Sequence, residues 1–236
     1  MLFSFFNGDW RSVVINLLLS LPVIIIALSF HEAAHGYVAY KCGDPTARNL
    51  GRLTLNPIKH IDALGLICML LIGYGWAKPV PINTRNFNNP KRGMAITALA
   101  GPAMNLLLGV IGTVLSSFFY AFYTKFYFSG SDQLTINIFY FAYLFFYLFG
   151  IYNLILMVFN LIPVPPFDGS RFMLSFLPAD KYFGIMRYER QILLGVFIVL
   201  LVCSNFFNFS PFSWVADKIY GFIFEPLVNL FLNILF

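Results

Sequence analysis

Charged residues are scarce in this sequence. Asp, Glu, Lys and Arg make up 11% of the 236 residues, whereas about a quarter of the residues in a soluble globular protein are charged. Hydrophobic residues make up 59%, and the 29 Phe and 13 Tyr suit lipid-facing and interfacial surfaces. This composition argues against an ordinary water-soluble enzyme and predicts a protein whose solvent is the lipid bilayer.

Cysteines and dense basic clusters are also lacking. The chain has three Cys, an odd number without Cys-x-x-Cys spacing, which argues against a disulfide framework and against a thiolate zinc site. The formal net charge is +5, but the Lys and Arg residues are spread between apolar runs and form no stripe suited to nucleic acid. We therefore expect no nucleic-acid partner.

Five apolar runs are long enough to cross a hydrocarbon core, which takes about 20 helical residues. They are residues 12–40, 94–123, 134–161, 191–205 with its flanks, and 213–236. A shorter Gly-rich piece, residues 63–76, is more typical of a re-entrant or β-hairpin element near residues 63–90. The sequence thus predicts an all-α polytopic membrane protein with about five transmembrane helices, organised as a single domain over residues 1–236.

Most Lys and Arg residues fall into two segments between the predicted helices, residues 41–92 and 171–190. Because positively charged loops stay on the cytoplasmic side, this bias predicts an outside N-terminus and an inside C-terminus. It also brings the inner ends of the first and third predicted helices to one membrane depth. We expect a multi-pass protein of the cell membrane whose polar residues at these helix ends lie toward the cytoplasm.

The inner end of the first predicted helix carries the sequence His31-Glu32-Ala33-Ala34-His35. Residues four apart share one face of a helix, so both imidazoles can bind one metal ion while Glu32 acts as a base toward water. Two imidazoles in this spacing suit a catalytic zinc. Ionisable residues cost about 2.5 to 3.5 kcal/mol or more at membrane depth, so a purely structural role for this motif is disfavoured.

A catalytic zinc takes three protein ligands, so two histidines leave one missing. Candidates are His60 and the carboxylates, among which Asp168 follows a Pro-rich stretch where helix end, irregular backbone and membrane depth coincide. An ordinary Asp-Gly turn is the alternative for Asp168. Asn160, at the end of the third predicted helix, is either a substrate or oxyanion contact or a helix cap or interhelical bond.

Two further motifs have structural interpretations that compete with functional ones. Gly101 and Asn105 lie among small residues of the second predicted helix, where helix packing and an interhelical hydrogen bond are the first explanations. Residues 78–83 contain alternating prolines and should be extended, either as a plain linker or as an edge that pairs with a substrate strand. His60 is expected to be an interfacial residue or a residue that supports the metal site.

Taken together, three motifs resemble the site-2 protease family of intramembrane zinc metalloproteases. They are His31–Gly36, Gly101–Asn105 and the Asn160–Gly169 stretch. A fourth segment, Gly75–Asn83, resembles the short prokaryotic members of that family. The resemblance covers roughly residues 12–195, most of the chain.

The resemblance implies the roles of individual residues. His31, His35 and Asp168 would ligate one Zn²⁺, Glu32 would be the catalytic base, and Asn160 would position the substrate. It implies a three-helix catalytic core within about residues 12–175, followed by C-terminal helices within about residues 188–236. The expected activity is hydrolysis of a peptide bond within or near the transmembrane segment of another membrane protein.

Two other function classes also place histidines in a membrane. A membrane di-iron oxygenase needs many more His than the three present. A transporter or metal carrier needs no Glu beside its histidines, and it predicts transmembrane flux instead of peptide cleavage. A catalytically inactive scaffold is a further alternative, but such a protein would have no need of Glu32 as a base, and Glu32 is present.

Overall fold

The computed structural model describes residues 10–65, 77–178, 181, 184–185, 187–206 and 211–235. Its helices are α1 (Trp10–Lys41), α2 (Thr46–Asn49), α3 (Pro90–Phe128), α4 (Gln133–Asn160), α5 (Asp168–Leu174), α6 (Glu189–Phe206) and α7 (Pro211–Leu235), with 3-10 turns at Pro57–Lys59 and Thr84–Asn86. Within these ranges no β-strand is present, and Ile61 and Ala77 form an isolated antiparallel bridge. The predicted all-α class is confirmed.

Four helices in the described ranges are long and apolar enough to cross a membrane. They are α3, α4, α7 and the Leu17–Lys41 part of α1. The remaining predicted span coincides with α6, an 18-residue helix that begins with a charged pair and is not among the four. The count of five therefore stays a prediction. Much of the predicted re-entrant or β-hairpin element, residues 66–76, lies outside the described residues.

Side-chain caps set the starts of α3 and α4. Asn89 accepts a hydrogen bond from the Arg92 amide at 3.1 Å, directly before the proline that opens α3. Asp132 accepts from the Thr135 amide at 3.0 Å and from the Thr135 hydroxyl at 2.7 Å. The short connection between the two helices forces them to pack antiparallel.

Small residues let α3 and α4 approach closely. A Cβ added at Gly112 would lie 2.6 Å from the backbone nitrogen of Gly150, so the two glycine backbones touch. Beside this contact, Val23 of α1, Leu108 of α3 and Phe149 of α4 are buried together. These contacts join α1, α3 and α4 into a three-helix bundle.

Helix α7 packs on the outside of this bundle. Its Ala216 and Tyr220 are buried against Ile151, Leu154 and Met157, all on α4. The Tyr220 hydroxyl also lies 2.7 Å from the hydroxyl of Ser116 on α3, so both buried hydroxyls are paired. The last helix is therefore part of the same packed unit as α3 and α4.

Candidate metal centre

His31 and His35 lie one turn apart on α1, inside its apolar Leu17–Lys41 segment. Both residues are buried, with exposed fractions of 5% and 6%. They face Gly101 of α3, where an added Cβ would lie 2.6 Å from Nε2 of His31 and would also collide with His35. A residue without a side chain is therefore needed where α3 passes the two rings.

Asp168 reaches the histidines through a tight turn after α4. The helix ends at Asn160 because the three prolines within residues 163–166 cannot continue it. The chain then doubles back so closely that a Cβ at Gly169 would collide with the Leu161 carbonyl. This close approach requires glycine at position 169. Asp168, directly before it, is the first residue of α5.

Three donor atoms converge at this point. Oδ2 of Asp168 lies 3.1 Å from Nε2 of His31 and 3.1 Å from Nε2 of His35. The two Nε2 atoms are 3.0 Å apart. Within the described part of the chain, these residues form the one group of three or more His, Cys, Asp or Glu side chains suited to hold a metal ion. The structure thus brings together the three residues that the sequence predicted as ligands.

The other ring nitrogen of each histidine is engaged by a carbonyl oxygen. Nδ1 of His31 is hydrogen-bonded to the side-chain oxygen of Asn105, and Nδ1 of His35 lies 2.7 Å from the backbone carbonyl of Thr97. A carbonyl only accepts, so each Nδ1 carries the hydrogen, and the Nε2 of a neutral ring presents a bare lone pair. Two lone pairs and a carboxylate oxygen then face one another.

This arrangement fits a zinc ion. Three electron-rich atoms about 3 Å apart repel one another unless a proton or a cation lies among them, and a metal cation can bind all three at once. Two imidazole nitrogens and one carboxylate oxygen form a donor set of catalytic zinc, and bonds of about 2.0 to 2.1 Å in a tetrahedral site place ligand atoms about 3.3 Å apart. The observed separations of 3.0 to 3.1 Å are close to that value.

Glu32 is half-buried beside this centre and has one identified partner. Its Oε2 accepts a hydrogen bond from the backbone amide of Val80 at 2.8 Å. Val80 is 5% exposed, and its side chain lies against Gly36, where an added Cβ would be 3.2 Å from Cγ1 of Val80. The segment that contains Val80 therefore lies along the motif-bearing end of α1.

We call residues 77–83 the strap. The Lys78 amide donates to the His60 carbonyl at 2.8 Å, and a guanidinium nitrogen of Arg52 donates to the carbonyl of Lys78 at 2.8 Å. The Asn83 amide donates to Asp44 at 2.7 Å. The backbone amides of Lys78, Val80 and Asn83 thus donate hydrogen bonds within the protein. These three amides are therefore not free to pair with a substrate strand.

Asp44 binds the C-terminal end of the strap through the Asn83 amide. Its fully buried carboxylate accepts hydrogen bonds from Thr46, Asn83 and Asn86. Burial alone would raise the pKa of Asp44, but these hydrogen bonds outweigh burial and hold the pKa of the carboxyl below its usual value. The carboxylate therefore stays ionised and holds the strap at neutral pH.

Two other sequence candidates lie outside the three-donor group. His60 is 1% exposed and donates through Nε2 to the Thr54 carbonyl at 2.7 Å, so its ring is buried within the protein. An interfacial position or a supporting role for His60 stays a prediction. Asn160 donates its side-chain amide to the Leu156 carbonyl at 3.0 Å, one turn back on α4. The substrate-positioning role of Asn160 stays a prediction.

The sequence does not identify the two contacts that orient the rings. The interhelical hydrogen bond expected for Asn105 is present, but its partner His31 is not predicted, although Gly101 and Asn105, four residues apart, share the face that meets the histidines. That spacing was a usable signal for Asn105. The contribution of Thr97 comes from its backbone carbonyl, and no side-chain pattern predicts such a contact.

Comparison with known proteins identifies a family and several relatives. The model of peptidase family M50 matches residues 19–204. A candidate zinc metalloprotease of Bacillus subtilis, YwhC, is 37% identical over 213 residues, which cover 87% of this chain and 92% of that protein. A candidate zinc metalloprotease of Mycolicibacterium smegmatis, Rip2, is 30% identical over 200 residues, 82% of this chain and 71% of that protein.

A third relative, zinc metalloprotease MJ0392 of Methanocaldococcus jannaschii, is 25% identical over 165 residues, which cover 70% of this chain and 35% of that protein. No solved structure matches the chain. The family match covers most of the sequence, including both histidines and Asp168. The chain therefore belongs to peptidase family M50, the site-2 protease family of zinc metalloproteases.

Proposed function

We propose that this protein is a zinc-dependent intramembrane endopeptidase. It would hydrolyse a peptide bond within or near the transmembrane segment of another membrane protein. The convergence of His31, His35 and Asp168 on one point carries this proposal, because the two histidines belong to an apolar helix long enough to span a bilayer. Ionisable residues are costly at membrane depth and are kept there for a function.

In the proposed site, His31, His35 and Asp168 hold one zinc ion. When bound, zinc supplies a Lewis acid that polarises a peptide carbonyl and makes water a nucleophile near neutral pH. Asn105 and Thr97 keep each ring in the tautomer whose Nε2 lone pair points into the site. The buried surroundings strengthen every electrostatic interaction there.

Glu32 is the general base in this proposal. The Val80 amide holds one oxygen of the Glu32 carboxylate, which leaves the other oxygen to accept a proton from the attacking water. As the bond from the water oxygen to the carbonyl carbon forms, the water loses that proton to Glu32. When the peptide C–N bond breaks, Glu32 returns the proton to the leaving amine.

The substrate backbone must be exposed before it can react. In a transmembrane helix each carbonyl already accepts a hydrogen bond from an amide, so an intact helix offers no free carbonyl to the site. Local unwinding is therefore required. Asn160 would then bind the unwound backbone through its amide side chain.

The proposed arrangement in the membrane follows the positive-inside rule. The basic segments 41–92 and 171–190 would face the cytoplasm, and the site would then lie toward the cytoplasmic side of the cell membrane. Helix α6 would be a fifth span in addition to the four spans identified above. Residues 1–236 would form a single domain, with the catalytic core within about residues 12–175 and the C-terminal helices within about residues 188–236.

A pair of single-span substrates tests the proposed function. Both are reconstituted in liposomes with the full-length protein, one with an uninterrupted Leu-rich span and one with an Asn-Pro pair near its cytoplasmic end. We expect cleavage of the interrupted span, at a bond that mass spectrometry places within the apolar segment, and little cleavage of the uninterrupted span. Cleavage confined to bonds outside the bilayer would contradict an intramembrane peptidase.

A further inference from the structure

A series of buried hydrogen bonds connects the Phe149 carbonyl, through the side chains of Asn153 and Asn105, to the ring of His31. Asn105 on α3 and Asn153 on α4 are both fully buried, among apolar residues of the three-helix bundle. The side-chain nitrogen of Asn105 donates to the side-chain oxygen of Asn153 at 2.8 Å. The side-chain nitrogen of Asn153 donates in turn to the Phe149 carbonyl at 2.8 Å.

The Phe149 carbonyl determines which group donates in every hydrogen bond of this series. The Phe149 carbonyl only accepts, so Asn153 must turn its nitrogen toward Phe149 and its oxygen toward Asn105. Asn105 must then turn its nitrogen toward Asn153, and the Ala27 carbonyl 3.5 Å away favours the same orientation. Only the oxygen of Asn105 is left to face Nδ1 of His31.

We propose that Asn153 and Asn105 are positioning residues that set the tautomer of His31. The oxygen of Asn105 accepts only from a ring that carries its hydrogen on Nδ1, which leaves the Nε2 lone pair for the metal. The helix packing of α3 against α4 thereby determines the ring state of a residue on α1. This inference rests on the proposed zinc site and assigns to that site two residues that do not contact the metal.

The opposite orientation would disable the site. An Asn105 side chain rotated by 180° would present its NH₂ group to His31, which favours the ring with its hydrogen on Nε2. That hydrogen would point at Nε2 of His35 and Oδ2 of Asp168 and remove one of the three donors. Because both asparagines are shielded from water, no solvent molecule is available to repair a wrong orientation.

Zinc affinity tests the inference in the full-length protein in detergent, by competition with a chromophoric chelator. Asn105→Leu keeps the volume but removes the acceptor, and we expect zinc affinity to fall about 10- to 100-fold, as when other outer partners of metal-bound histidines are lost. Asn105→Asp restores an acceptor oxygen, and we expect it to bind zinc more tightly than Asn105→Leu. Asn153→Leu, which leaves His31 untouched, should give an intermediate loss.

A matched control separates this effect from lost stability. Thr113→Val removes another buried hydrogen bond of α3, from Thr113 to the Gly109 carbonyl, and should leave zinc affinity unchanged. Thermal unfolding of each zinc-free variant checks the fold. If Asn105→Leu does not fold, Asn153→Leu still decides the question.

The ring nitrogen shifts give a second readout. The chain has three His, so a ¹⁵N-histidine spectrum is simple, and the wild type should show His31 with its hydrogen on Nδ1. Asn153→Leu should show a mixture of tautomers at His31 alone. Zinc affinity and a His31 tautomer that match the wild type in Asn153→Leu and in every folded Asn105 variant would overturn the inference. A wild type that binds no zinc would instead overturn the proposed function.

Discussion

Replacing Glu32 with glutamine should lower the rate of peptide cleavage by about 10²- to 10⁴-fold, the contribution of a positioned general base, while zinc stays bound. Glutamine keeps the shape of glutamate, and its side-chain oxygen can still accept from the Val80 amide that lies 2.8 Å from Oε2. It cannot take a proton from water at neutral pH. Initial rates in liposomes and zinc content per chain measure the two effects separately.

Glu189→Gln is the matched control for this variant. Glu189 is the first residue of α6, at the end of that helix, and it has no part in the metal centre. We expect the control to cleave at the wild-type rate. Full activity in Glu32→Gln would show that another group accepts the proton, whereas loss of zinc in Glu32→Gln would show that Glu32 supports the metal.

Replacing Gly101 with alanine should abolish zinc binding and reduce cleavage to background. The new Cβ would lie 2.6 Å from Nε2 of His31 and would also collide with the ring of His35, where carbon contacts normally need about 3.5 Å. Helices α1 and α3 would have to separate by about 1 Å. Metal sites tolerate errors of only about 0.2 Å in ligand distances.

The effect of Gly101→Ala can be distinguished from an effect on helix stability. Alanine favours a helix interior by up to about 1 kcal/mol relative to glycine, so helix formation itself should not suffer. Gly221→Ala is the control, because a Cβ at Gly221 would come no closer than 3.8 Å to Glu225. Gly221→Ala should bind zinc normally, and zinc retained in Gly101→Ala would contradict the close approach of α3 to the rings.

The proposed ligand set could be predicted only in part from the sequence. His31 and His35 follow from helical spacing alone, since residues four apart share a face. Asp168 was one candidate among several, because the path of a Pro-rich turn depends on packing that no local pattern encodes. The turn places Asp168 beside His31 and His35, and it brings Gly169 so close to the Leu161 carbonyl that a side chain does not fit.

The all-α class and most spans were predictable because apolar runs of bilayer length are a strong signal. The α6 span was the weakest of them, since its helix starts with charged residues and has 18 residues. No sequence pattern indicates the proposed role of Asn153 in orienting Asn105. Its contact with Asn105 joins residues 48 positions apart and depends on how closely α3 approaches α4.

The extended nature of residues 78–83 was predicted from its prolines, but its attachment was not. The hydrogen bond from Val80 to Glu32 is donated by the backbone amide of Val80, so the side chain at position 80 gives no sign of this bond in the sequence. The anchor at Asp44 likewise brings together residues from two loops. Sequence patterns report the conformation of a segment more readily than its partners.

Zinc content in wild type and in Asp168→Ala is the most direct test of the metal centre. Asp132→Asn is the control, because Asp132 is exposed and asparagine caps a helix as well as aspartate does. After dialysis against a weak chelator, we expect one zinc per chain in wild type and in the control, and none in Asp168→Ala. Unchanged zinc affinity in Asp168→Ala would contradict the three-residue site, and a wild type that binds no zinc would contradict the zinc peptidase itself.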